Sequence, residues 1–300
     1  MENIRFAGFS YEGLNNLGDH IQSICMERLI PLVKKRFNRD KLGQILDPAK
    51  YVVVMNGWFT HSPQYFPPSD TVFPFFWGFH VTNSCWDKMS TPNCINYLRT
   101  HSPIGCRDSF TQKCLGEIGV DSFYSKCLSL TLPKRKKRPT NGWNILVDVP
   151  IPLPAFIEDN AIHVSHRISP NVPEKDKFEQ AQKLLALYRD SANLIVTTRL
   201  HCALPAAAMG IPVIFLGDPN DYRLSLLSDI GVKINSYPND FNTEKETFIN
   251  DIKRLWSEVD WKVEPVNFEA EKKSLITEFE ERLNARIGIL NQYYPTKIIV

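Results

Sequence analysis

The stretch LIVTTRLHCALPAAAMGIPVIFLG, residues 194–217, constrains the fold of this chain most. Two apolar, strand-like runs flank a short Ala-rich helical segment, a strand-helix-strand unit whose strands lie parallel under helices. An arginine and a histidine stand where the first run ends. Pro205 is tolerated only in the first turn of a helix, so the helix is expected to begin near Cys202, leaving residues 199–201 in the turn before it. Alternate residues of an extended turn share a side. Leu200 then faces the core while Arg199 and His201 point into the crevice beyond the strand ends, where parallel sheets bind ligands. A planar guanidinium fork suits a carboxylate or phosphate, and an imidazole exchanges protons near neutral pH. The competing reading is an arginine paired with a nearby carboxylate and a histidine capping backbone groups.

The same alternation runs through the chain. Strands are expected at 4–10, 51–57, 103–108 and 123–132, then at 144–150, 161–168, 193–198 and 212–217. Helices are expected at 20–37, 95–101, 109–119, 174–190 and 202–210, with two charged helices near 243–258 and 267–288 closing the chain. The aromatic, proline-rich region from Trp58 to Trp86 fits neither period. PKRKKRPTNGW, residues 133–143, reads as an exposed linker because of its prolines, glycine and five basic residues. The expected architecture is α/β with two domains, 1–134 and 135–300, each a parallel sheet flanked by helices.

Composition narrows the partners. The 35 Lys and Arg nearly balance the 33 Asp and Glu, a formal charge of +2, which disfavours a nucleic-acid or membrane-surface binder. Seven cysteines without a C-x-x-C pair suggest reduced thiols rather than disulfides or zinc. Glu2 and Arg5 stand where a signal peptide would be apolar, and no apolar run reaches membrane-spanning length, so a cytoplasmic location is expected. The histidines at 20, 61, 80, 101 and 163 lack the spacing of a metal site, and no bound metal is expected.

Three further strand exits carry polar groups. In NNLGD, residues 15–19, Gly18 permits close backbone approach, Asp19 can cap the helix, and Asn15 or Asn16 can bond a ligand. In IGCRDSF, Asp108 or Ser109 caps the next helix, and Arg107 is either a second cation of an anion site or an ion-pair partner of Asp108. In IHVSHRIS, His166 and Arg167 fall on opposite faces, so that His166 can face the cleft. Neither a dinucleotide fingerprint nor a Walker sequence occurs.

NNLGD, GCRDSF and LIVTTRLHCALPAAAMGIPVIFLG together resemble the polysaccharide pyruvyl transferase family over roughly residues 10–217. The chain departs from family members that carry an Asp-Pro pair before the interdomain segment, since it reads SKCLSLTL there. The resemblance implies a GT-B-like fold, two Rossmann-like domains facing across a cleft, with helix 267–288 crossing back to the first. It also implies transfer of pyruvate from phosphoenolpyruvate, a substrate rather than a bound cofactor, onto two hydroxyls of a surface-polysaccharide sugar or its precursor, the acceptor being free or lipid-linked.

On that reading Arg199 and Arg107, with Leu200 and Gly18, bind the donor. His201 is the acid or base, with Asp19 and Asp108 as further catalytic candidates. Asn15, Asn16, His166 and Trp58 meet the acceptor, Trp58 belonging to an aromatic set with Phe59, Phe75, Phe76 and Trp77 that offers a stacking face. The alternatives are a GT-B glycosyltransferase using a nucleotide sugar, with Asp218 as a ribose contact, and a non-catalytic sugar-binding protein of the same fold.

Overall fold

The first apolar runs of each half form strands buried on both faces, as parallel sheets covered by helices require. The computed structural model describes residues 5–238 and 245–293. Residues 1–4, which bear on the signal-peptide expectation and begin the strand expected at 4–10, lie outside the described residues, as do 243 and 244 of the helix expected from 243.

The first half contains β1 (Arg5–Ser10), α1 (Leu17–Glu27), β2 (Lys35–Asn38), β3 (Tyr51–Trp58), β4 (Val72–His80), α2 (Asn83–Met89), α3 (Pro92–Thr100), β5 (Ile104–Cys106), α4 (Ser109–Glu117) and β6 (Ser122–Tyr124). The second contains β7 (Trp143–Val147), α5 (Ala155–Glu158), β8 (Ala161–Val164), α6 (Glu174–Ser191), β9 (Ala192–Thr197), α7 (Leu200–Ala208), β10 (Val213–Leu216), α8 (Ser225–Asp229), β11 (Ile234–Asn235), α9 (Lys245–Glu258) and α10 (Glu269–Tyr293). The strands form two sheets, in the orders β2-β1-β3-β4-β5-β6 and β11-β10-β9-β7-β8, and every pairing is parallel. The order reverses beside β1 in one sheet and beside β7 in the other, which opens a crevice at each set of carboxyl ends.

Three expectations need correction. The helix expected at 20–37 stops at Glu27, Pro31 follows, and Lys35–Asn38 becomes edge strand β2, leaving Leu32 exposed. The strand expected at 123–132 ends at Tyr124, and Leu128–Thr131 forms a 3-10 turn. The unparsed aromatic region holds β4, nine buried residues that include Pro74 and Gly78. Neighbouring β5 joins β4 only at Phe79–Cys106, so a missing N–H at Pro74 breaks no bond on that side. Gly78 adopts φ +69°, and a Cβ there would lie 2.5 Å from Asn56 Oδ1.

The halves share one apolar core. Phe6, Ile21 and Trp77 join Ile145, Ile195 and Phe215 in a single buried cluster with Phe279 of α10. That helix returns to the first sheet, where Phe279 packs edge-on against Phe75 and Trp77 and Arg286 donates to His101 Nδ1 at 2.7 Å. Truncating Phe279 to Ala would cost about 3–5 kcal/mol. At the crevice, Asn16 and Arg167 form an antiparallel bridge, with Leu17 N donating to His166 O at 2.8 Å and Ile168 N to Asn15 O at 3.0 Å. Helix α6 reinforces this seam: Lys177 Nζ donates to Leu14 O at 2.7 Å, and Glu174 accepts from Tyr11 N at 2.7 Å. The linker 133–143 is mostly exposed and irregular, yet Arg135 and Arg138 fasten it to Ala192 O and Asn193. Among the described residues no helix is long and apolar enough to cross a membrane.

Candidate functional site

The carboxyl ends of both sheets open on one cavity of 1110 Å³. From the first half, the loop after β1 brings Asn15 and Asn16. Asn16, in an extended conformation, caps α1 by accepting from Gly18 N at 3.0 Å. The expected cap, Asp19, lies one turn in and pairs with buried Arg39 at 3.3 Å. A Cβ on Gly18 would stand 3.4 Å from the His201 Cβ, so the glycine allows the two halves to approach. Trp58 ends β3 with its indole N–H buried and without a partner among the described residues, its ring 4.2 Å from that of His61. His80 ends β4, and Arg107 follows β5 with a buried Nε that has no hydrogen-bond partner among the described residues.

The second half answers with Asp148 after β7, His166 after β8 and Arg199 and His201 after β9. Asp148 adopts φ +50°, tolerable for an aspartate, and its carboxylate accepts from Ser165 Oγ at 2.5 Å, His166 N at 3.0 Å and Arg199 Nε at 2.6 Å. These donors hold its carboxyl below the ordinary value against the opposing effect of burial. Arg199 is the helix cap residue, its N–H bonded to Thr197 Oγ1 at 2.9 Å. His201 has non-helical ψ 15°, so regular helix begins at Cys202 even though Leu200 opens the segment. Pro205 thus sits in the first regular turn. Leu200 lines the cavity while packing on the core. Past β10, Asp221 pairs with Arg223, and both line the cavity with Asp218 and Tyr237.

Electrostatically the floor of this cavity combines arginines with imidazoles held neutral. Burial and the nearby Arg107 push His80 down to about 4, although Asp108 pulls the other way. Burial, helped by Arg199, lowers His166 to about 4, and burial lowers His201 well below 6.5, with Arg107, His166 and His80 adding to the effect. His201 Nε2 and His166 Nδ1 are buried without partners among the described residues, while His166 Nε2 shares a 2.8 Å bond with Tyr188 Oη. Buried polar atoms are normally satisfied, so three nitrogens around one cavity without a partner among the described residues mark a place for a polar ligand or water. Among the described residues no group of three His, Cys, Asp or Glu is arranged to hold a metal ion, and all seven cysteines are buried free thiols.

A model of the polysaccharide pyruvyl transferase family matches residues 16–220. The chain belongs to the polysaccharide pyruvyl transferase family. Membership supports a pyruvyltransferase enzyme with a saccharide acceptor. Among solved structures, the chain is similar to a functionally uncharacterised protein from Klebsiella pneumoniae, at 11% identity and TM-score 0.47, covering 76% of this chain and 88% of that one. No curated protein matches the chain.

In this pyruvyl transferase family member the cavity brings together Asn15, Asn16, Gly18, Asp19, Trp58, Arg107, His166, Arg199, Leu200 and His201. Asp108 is the exception. It is 1% exposed and lies behind His80, accepting from Thr111 N at 2.9 Å as the cap of α4, so it has no direct reach to a ligand. Its contact with Arg107 is a loose 4.0 Å, too long for the ion pair to satisfy Arg107 Nε. Phe59, Phe75, Phe76 and Trp77 are buried in the core and leave Trp58 to face the cavity. Sequence reasoning missed His80, hidden at the end of the unparsed β4. It also missed Asp148, although a carboxylate at the exit of NILVDVP obeys the rule that singled out Arg199.

Proposed function

We propose that this cleft binds phosphoenolpyruvate and transfers its three-carbon unit to two hydroxyls of a saccharide as a cyclic ketal, the acceptor being a surface polysaccharide or its precursor. The observation that carries this reading is the set of orphaned nitrogens on Arg107, His166 and His201, which face one cavity together with Arg199. A small donor bearing both a carboxylate and a phosphate supplies oxygens for several such donors at once, and charge-assisted bonds in a desolvated site are strong.

Arg107 and Arg199 hold the two anionic ends of the donor, with Gly18 and Leu200 shaping its bed. Asn15, Asn16 and Trp58 form the rim for the sugar. A proton added to the methylene carbon places positive character on C2, a sugar hydroxyl attacks there, phosphate departs, and the second hydroxyl closes the ketal. Of the two hydroxyl protons, the balance leaves one on the new methyl group and one on phosphate. His201, beside the arginines, is suited to deliver the proton to carbon once the donor's charge has raised its basicity. Two Rossmann-like halves in a GT-B-like arrangement, divided near residue 134 and working in the cytoplasm, fit this reading.

Phosphate release from phosphoenolpyruvate, followed with galactose-, mannose- and N-acetylhexosamine-containing acceptors, tests it. Release that requires an acceptor and yields a ketal is expected. Turnover of a nucleotide sugar without phosphoenolpyruvate turnover would overturn it; Asp218, the carboxylate such a donor would use, already accepts from Asn220 N at 2.9 Å.

A further inference from the structure

The sequence reading left His80 without a role, and the transfer reading just given does not use it. Its backbone carbonyl accepts from Phe59 N at 2.8 Å, which fixes the end of β4. Its ring Nδ1 lies 2.5 Å from Asp108 Oδ2 and 3.3 Å from Thr111 Oγ1. Asp108 is fixed in turn by Thr111, whose N–H and Oγ1–H both donate to Oδ1, at 2.9 and 3.0 Å. An ionised carboxylate only accepts, so the imidazole carries its proton on Nδ1 and bares the Nε2 lone pair. That nitrogen has no partner among the described residues, and His80 lines the cavity. A base held in one tautomer by a buried carboxylate is a recurring arrangement for removing a proton from a hydroxyl.

We propose that His80, oriented by Asp108, is the general base that takes a proton from an attacking acceptor hydroxyl. The inference rests on the transfer reading. His80 enters the cavity from the sheet that also brings Trp58 and Asn16, whereas His201 enters from the other sheet beside Arg199. Ketal formation withdraws protons from two hydroxyls and adds one to carbon, and one imidazole cannot donate and accept at the same moment. As the hydroxyl oxygen bonds to C2, its proton passes to Nε2. The C2–O bond to phosphate breaks with its electron pair on phosphate, which receives that proton and leaves His80 neutral, and the second hydroxyl's proton replaces on His201 the one given to carbon. Asp108 is then a positioning residue.

The groups facing His80 are Arg107 and Asp108 after β5, His201 of α7, and Asp221, Tyr222 and Arg223 after β10. With the two arginines opposing its protonation, the free imidazole is a base at neutral pH and gives kcat an acidic limb.

His80→Gln and Asp108→Asn in the full chain test the proposal, with phosphoenolpyruvate affinity measured by calorimetry and kcat against pH by phosphate release. Asparagine caps helices as well as aspartate does, so Asp108→Asn keeps α4 and serves if His80→Gln does not fold. Expected is a fall in kcat of about a hundred- to ten-thousandfold in His80→Gln, with donor affinity little changed and the acidic limb abolished. Asp108→Asn, which permits the wrong tautomer, falls in the same direction. A folded His80→Gln enzyme within about threefold of the wild-type kcat, or with the acidic limb intact, overturns the role while the transfer reading stands. A wild-type enzyme that releases no phosphate from phosphoenolpyruvate with any acceptor overturns both.

Discussion

At the end of β4 the imidazole of His80 is held 2.5 Å from a buried carboxylate, whereas past β9 the imidazole of His201 has a buried Nε2 with no partner among the described residues. The two groups face the same cavity from opposite sheets. The first is finished before any ligand arrives: Asp108 and Thr111 set its orientation and tautomer, and burial with Arg107 nearby keeps it neutral. The second has no partner for its Nε2 among the described residues, beside Arg107 whose Nε is likewise without one, and a polar ligand or water would complete it. Unsatisfied buried donors destabilise a fold, and their retention at one spot is a feature of binding sites. On the proposed reading, the contrast separates a prepared base from an anion pocket.

The largest effect that could break this contrast concerns Arg107. Replacing it with Met should lower kcat/KM for phosphoenolpyruvate by about a hundred- to a thousandfold, the usual cost of removing a charged donor aimed at substrate. Thermal stability should hold or rise, because a buried guanidinium with only a 4.0 Å carboxylate contact is taken away. A sharp fall in Tm with unchanged donor kinetics would place Arg107 on the structural side instead.

Acid should expose the cost of keeping the histidines neutral. His80 and His166 are pushed down to about 4, below the 6.5 of an unfolded chain. Between these values the unfolded state binds more protons, so stability falls as pH drops from about 6.5 towards 4. Each of the two should cost about 2 kcal/mol by pH 5. Urea unfolding at pH 7 and pH 5 measures the loss, and phosphoenolpyruvate should recover part of it by binding the protonated site. Equal stability at both values would mean that these imidazoles are better solvated than their burial implies.

How much of this was legible beforehand depended on the kind of signal. The unit around residues 194–217 announced itself because apolar runs, Pro205 and Gly210 all agreed on one local structure, and Arg199 and His201 followed from their place at a strand exit. The edge strand β2 was hidden by helical periodicity that runs through Ile21, Ile24 and Cys25 and continues by chance to Leu32 and Val33. Strand β4 was hidden by Pro74 and Gly78, whose acceptability depends on a neighbour absent from the local sequence. With β4 went His80, and without His80 the carboxylate of Asp108 looked like a catalytic group rather than the support behind one. Pairings between residues 28 positions apart carry no local pattern.

A smaller effect distinguishes Asn16 from Asp19, since the sequence points to Asp19 as the helix cap and to Asn16 as a ligand contact, whereas Asn16 is the cap. Asn16→Ala removes the cap of α1 and should cost about 1 kcal/mol of stability in chemical denaturation. Asp19→Ala leaves Gly18 N satisfied and removes only one of the two carboxylates near Arg39, so for a catalytic candidate on the cavity wall kcat should change more than stability does. The reverse ranking would return the cap to Asp19.

The smallest expected effect tests which side of the cavity meets the sugar. Trp58 is the one member of its aromatic stretch on the cavity wall, and its indole N–H is buried without an acceptor while Arg39 stacks 5.2 Å from its ring. Trp58→Phe keeps a ring beside His61 and Arg39 but deletes the donor. If a sugar hydroxyl completes that N–H, the acceptor KM should rise by several-fold, about 1 kcal/mol for one hydrogen bond, with donor affinity unchanged. The free protein should be as stable as before or slightly more so, since the orphaned donor is gone. A donor affinity that weakens instead, with acceptor KM constant, would move the sugar away from β3 and towards Tyr237 on the opposite rim.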